Sequence, residues 1–102
     1  SEDLAILIMW TLEEYDEFEP IILSVSEKDE TSIKYIANCI AKEFNFEKNI
    51  YFDLDKPDGQ YKKTANNSKL INLIKSFNFI NIDEGSSKTV KWFLENYNTC
   101  RK

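Results

Sequence analysis

The sequence contains no histidine and only two glycines, Gly59 and Gly85, among its 102 residues. Without imidazole there is no Ser-His-Asp or Cys-His nucleophile pair, no histidine general base and no mixed Cys/His zinc site. Glycines 26 positions apart form neither the G-x-G-x-x-G turn of a dinucleotide site nor a phosphate-cradling P-loop. The commonest enzyme apparatus is missing. Cysteine is equally sparse. Cys39 and Cys100 are too few for a disulfide framework or a four-cysteine zinc site, and read as free thiols of a reducing, cytoplasmic compartment. The longest apolar run, residues 4–10, falls far short of the ~18 residues a membrane span needs, so no membrane partner is expected. Positive charge is scarce as well: 13 Lys+Arg against 18 Asp+Glu gives −5, which argues against nucleic acid as a partner.

What is present is a globular composition, 42% apolar and 14% aromatic, with helical and strand-like patterns in alternation. A first helix is expected over residues 3–15, with Leu4, Ala5, Ile8, Leu12 and Tyr15 as one apolar stripe. Ile6, Leu7, Met9 and Trp10 occupy its other sides. A helix apolar all round expects cover on more than one face, more than a 102-residue domain supplies, so the chain reads as a fragment. Ile21-Ile22-Leu23-Ser24-Val25 is a short continuous apolar run, the pattern of a strand buried on both faces. Thr31 or Ser32 caps a second helix, whose face is Ile33, Ile36, Ala37, Ile40, Ala41 and Phe44. Ile50, Phe52 and Leu54 alternate with polar neighbours as a second strand. Asn66, Asn67 or Ser68 caps a third helix with Leu70, Ile71, Ile74 and Phe77 inward, and Phe79-Ile80 is a short extended piece. A last helix over residues 84–98 buries Val90, Phe93, Leu94 and Tyr97, with Trp92 on its flank. The β-α-β order predicts an α/β fold: a small, partly parallel sheet with about four helices, in one domain over residues 1–102.

The longest loop, residues 55–67, gathers most of the candidate chemistry. In α/β folds, loops at the carboxyl ends of strands carry function. Pro57-Asp58-Gly59 is turn chemistry, with proline fixing φ at the first corner and glycine taking a positive φ. Asp58, Gln60, Lys62 and Lys63 would suit a ligand bearing hydroxyls and phosphates: the carboxylate for sugar or base donors, the ammonium groups for phosphate. The same residues also describe an ordinary exposed turn with solvated lysines. Asp53, Asp55 and Asp58 do not make a calcium loop, because Pro57 interrupts it and its closing position is Thr64. No tyrosine is followed four residues later by lysine, so the reductase Tyr-Lys couple is absent.

Four stretches carry a family resemblance. They are Asp3-Leu4-Ala5 opening the first helix; Glu19-Pro20 with the Ile21–Val25 run, on to Lys34; Lys56-Pro57-Asp58-Gly59 through Lys63 to Leu70; and Trp92-Phe93-Leu94-Glu95-Asn96-Tyr97. In this order they resemble the C-terminal, substrate-binding part of the GDP-L-fucose synthase family of extended short-chain dehydrogenase/reductases. The resemblance implies a cytoplasmic, homodimeric, NADP-dependent parent. Such a parent epimerises GDP-4-keto-6-deoxy-D-mannose at C3 and C5 and reduces C4. It implies, too, that the NADP-binding domain and the catalytic Ser, Tyr, Lys, Cys and His lie upstream. This chain alone is then expected to be inactive and to bind no cofactor. Asp58 matches the family's substrate-binding aspartate and Lys63 its lysine near the diphosphate, with Gln60 and Lys62 as neighbours. Cys39 and Cys100 do not match the catalytic cysteine. Two alternatives stay open: part of another nucleotide-sugar epimerase/reductase, or a stand-alone acidic interaction module pairing chains through Leu7 and Trp10.

Overall fold

Each helix begins where a short polar residue or an acidic first turn satisfies its free backbone amides. The structure, a computed structural model, describes residues 1–102. Helix α1, Glu2–Glu14, carries Glu2 and Asp3 in its first turn, where the helix dipole favours negative charge. Helix α2, Ile33–Glu43, is capped by Ser32, whose hydroxyl oxygen accepts from the Tyr35 amide at 3.1 Å. It stops in a Schellman turn: Asn45 adopts φ 53°, Phe46 N–H reaches back to the Ala41 carbonyl at 2.9 Å, and Asn45 N–H to Lys42 at 3.1 Å. Helix α3, Ser68–Ile74, follows an Asn66 side chain that accepts from the Ser68 amide at 2.9 Å, and it ends at Lys75, φ 56°. Helix α4, Ile82–Glu95, is capped by Asn81, whose side-chain oxygen accepts from the Glu84 amide at 2.8 Å.

No strand forms, and the expected α/β sheet is overturned: the chain is helical, with two 3₁₀ turns, Glu27–Asp29 and Glu47–Asn49, as its only other regular elements. A strand exists only through hydrogen bonds to a neighbouring strand. The two runs that would have paired, residues 21–25 and 50–54, fall in different compact units and neither meets a ladder partner. The first also lacks burial on both sides, since Ile22 is 49% exposed. A run of apolar residues signals strand propensity; without a partner it stays irregular.

The first unit comprises residues 1–30 and 60–79, the second residues 31–59 and 80–102. In the first, Leu7 and Leu70 are the fully buried side chains. The stripe read along α1 is the reverse of what forms. Leu7 is buried, with Trp10 and Thr11 half-buried, while Leu4, Ile6, Ile8, Met9 and Leu12 are exposed. When every face is apolar, periodicity does not reveal which one turns inward. In the second unit α2 packs on α4, burying Ala41, Ser86 and Val90. Leu94 and Tyr97 do not join that core, contrary to expectation; they are 57% and 50% exposed. Tyr97 instead meets Phe93 edge-on at 5.3 Å and carries the Lys102 ammonium 4.0 Å above its ring.

Lys69 of α3 ties the first unit together. Its ammonium is screened from water, lies 2.8 Å from Glu17 and 3.6 Å from Glu19, and sits over the Tyr15 ring at 5.2 Å. The adjacent Lys69 ammonium holds the Glu17 carboxyl below its usual range, while Glu17, with Tyr15 beside it, raises Lys69 well above its own. The depressed Glu17 contributes stability above its unfolded value of 4.5 that is lost as pH falls through the lower folded value. The raised Lys69 contributes below 10.5, and that contribution is lost at higher pH. Lys69→Met is therefore expected to lower the urea midpoint at pH 7 and to narrow its gap from wild type at pH 3. A gap equally wide at both pH values would rule out the ion pair as its source.

Candidate functional site

The segment between Gln60 and Ser68 follows the turn at residues 24–30, and three contacts fasten it there. The Ser26 hydroxyl donates to Asp29 at 2.6 Å and closes the 3₁₀ turn Glu27–Asp29. The turn presents two carboxylates. Lys62 Nζ donates to Glu27 Oε1 at 2.9 Å, and the Ala65 amide donates to Glu30 Oε1 at 3.3 Å. The buried Asn67 donates its side-chain amide to the Ser24 carbonyl at 2.9 Å. The Lys62 ammonium is pushed up chiefly by its bond to Glu27, with the charges of Glu27 and Glu30 adding to it against partial desolvation. Gln60 and Lys63 are exposed, and Lys63 makes no ion pair or hydrogen bond.

Asp58 and Gly59 belong to the second unit and Gln60, Lys62 and Lys63 to the first, so the loop read as one cluster is divided between them. Asp58 is exposed. The expected glycine turn does not form: Gly59 has no positive φ, and a Cβ there would meet nothing within 4 Å. The chain turns earlier, at residues 54–55, beside the Asp53 side chain that accepts from the Asp55 amide at 3.1 Å. An aspartate two residues before a free amide competes for the turn.

Sequence reading did not single out Glu27 or Glu30, and it offered Asn67 only as one of three candidate caps for α3, not as the anchor to Ser24. Their partners lie 35 to 43 residues away, and nothing local marks such a pairing. Beside these residues, an open cleft of about 320 Å³ is lined by Ser26, Lys28, Asn67, Ser68, Ile71, Asn72 and Phe79. Phe79 meets Phe77 edge-on at 4.9 Å. In the second unit, Tyr35 donates to the Asp83 carboxylate at 3.0 Å and Cys39 Sγ lies 3.4 Å from the same group. Burial first, and then Asp83, push the Cys39 thiol up, so it stays protonated and is a poor nucleophile at neutral pH. No helix is long and apolar enough to cross a membrane.

No family model matches the sequence. Individual proteins do. Over all 102 residues the chain is 44% identical to a probable GDP-L-fucose synthase of Drosophila melanogaster, and 45% identical to the GDP-L-fucose synthase of Dictyostelium discoideum. Over 79 residues, 78% of this chain and 24% of the relative, it is 30% identical to the GDP-L-fucose synthase of Escherichia coli (strain K12). The chain spans about a third, 32%, of the length of the first two relatives. The resemblance to GDP-L-fucose synthases thus extends along the whole chain.

Proposed function

We propose that this chain is the C-terminal, substrate-binding part of a GDP-L-fucose synthase and forms one wall of its GDP-sugar site. The match to proteins of that name along all 102 residues, against 32% of their length, is the observation that carries this reading. In it, Asp58 accepts hydrogen bonds from the sugar or base, and Lys63 presents an unpaired ammonium to the diphosphate. Gln60 and Lys62 are their neighbours in the same loop. The parent is a cytoplasmic, NADP-dependent homodimer. This chain's residues do not fit the dinucleotide: it has two glycines, neither with positive φ, and no phosphate-cradling turn. In this reading, as the family resemblance implies, NADP and the epimerisation and reduction chemistry belong to a separate N-terminal domain, and this chain performs neither step alone. The exposed Leu4, Ile6, Ile8, Met9 and Leu12 of α1 support a further packing partner of that kind. The rival interaction module has less support, because Leu7, one of its two contact residues, is only 1% exposed.

With half a site, GDP should bind weakly, with a dissociation constant of about 1 mM or higher. NMR titration of the labelled chain is expected to move amide resonances between residues 58 and 68 with GDP, and less with UDP. Larger shifts with UDP would favour another nucleotide-sugar epimerase; no shift with either would overturn the site.

A further inference from the structure

We infer that Glu27 and Glu30 are positioning residues that make Lys63, and not Lys62, the anion-binding cation of the loop. This rests on the GDP-sugar reading above and adds to it the division of labour between two adjacent lysines. The geometry is one-sided. Lys62 is committed, its ammonium 2.9 Å from Glu27 Oε1. Three residues on, the Ala65 amide is held by Glu30 at 3.3 Å, and Asn67 is held by the Ser24 carbonyl at 2.9 Å. Lys63 lies between the first two anchors and has no partner of its own.

Each anchor also removes a difficulty. An unpaired Glu27 or Glu30 beside a diphosphate would repel it. Here Lys62 neutralises Glu27, and a backbone amide engages Glu30, so the carboxylates fasten the loop while their repulsion is reduced. Tethering the chain on both sides of Lys63, through the Lys62 side chain before it and the Ala65 backbone amide after it, also lowers the ordering entropy that ligand binding would otherwise cost. The loop is surface-bound, and both carboxylates come from one 3₁₀ turn and the residue after it, so two short-range positions determine how a distant lysine is displayed.

The sign of one substitution separates positioning from simple electrostatics. Glu27→Ala deletes a negative charge near the proposed anion site. Acting through charge alone, it would tighten GDP binding; acting through loss of the anchor, it weakens it. We expect Glu27→Ala, Glu30→Ala and Lys62→Met each to raise the GDP dissociation constant about two- to fivefold. The Glu27→Ala/Lys62→Met double variant should be no weaker than either single one, because both remove the same bond. The readout is NMR titration of the folded 102-residue chain with GDP, together with amide order parameters for residues 62–65, which should fall in all three variants. Glu27 is 64% exposed, so its loss leaves the fold intact. Tighter binding by Glu27→Ala, or additive losses in the double variant, would overturn the inference while leaving the GDP-site reading in place. GDP binding by wild type that is indifferent to Lys63→Met would overturn that reading, and this inference with it.

Discussion

Leu70→Ala is expected to destabilise the first unit by about 3 kcal/mol, enough to shift its urea midpoint by more than 1 M. Leu70 is 0% exposed, and it and Leu7, at 1%, are the fully buried large side chains of the whole chain. Removing three carbons there leaves a cavity that few neighbouring core side chains can fill. Total stability of a small domain is only about 5–15 kcal/mol, so the loss is a large fraction of what is available. Leu73 of the same helix is the control. At 44% exposure it already meets water, and Leu73→Ala should cost under about 1 kcal/mol. Equal losses at the two positions, measured by urea unfolding followed by circular dichroism, would show that α3 does not bury Leu70 as described.

Lys63→Met is expected to weaken GDP binding about tenfold or more, the usual scale for deleting a charged hydrogen-bond donor to an anion. Lys63 is exposed and partnerless, so methionine should leave the urea midpoint unchanged and isolate the effect on the ligand. Arginine should restore part of the affinity, since it keeps the charge but not the compact ammonium. Wild-type affinity should fall with added salt more steeply than that of Lys63→Met, because one of its contacts is ionic. Calorimetric titration of both proteins at two ionic strengths measures each quantity. Unchanged affinity in Lys63→Met would overturn the GDP-site reading.

Local signals carried the helices and failed for the sheet. Ser32 and Asn81 cap their helices through side-chain oxygens at 3.1 and 2.8 Å, and the cap at Ser32 is readable from residue type and spacing. The strand at residues 21–25 was an inference about partners, and partners are not a local property. The same holds for α1, where an apolar residue on every face left Leu7 indistinguishable from Ile8 until packing chose between them. At the candidate site, residue chemistry marked Asp58, Gln60, Lys62 and Lys63 alike, and only the family resemblance set Asp58 and Lys63 apart. Neither could show that Lys62 would be taken by Glu27 from 35 residues away.

By itself the sequence determined the helical segments, the absence of imidazole and glycine-rich apparatus, and the likeness to GDP-L-fucose synthases that runs along the whole chain. Those depend on residue type and on spacings of a few positions. Only the tertiary structure decided which face of α1 is buried, that no sheet forms among these 102 residues, and which of two adjacent lysines is left unpaired. Each of those outcomes turns on which long-range partner is available, and sequence spacing does not encode it.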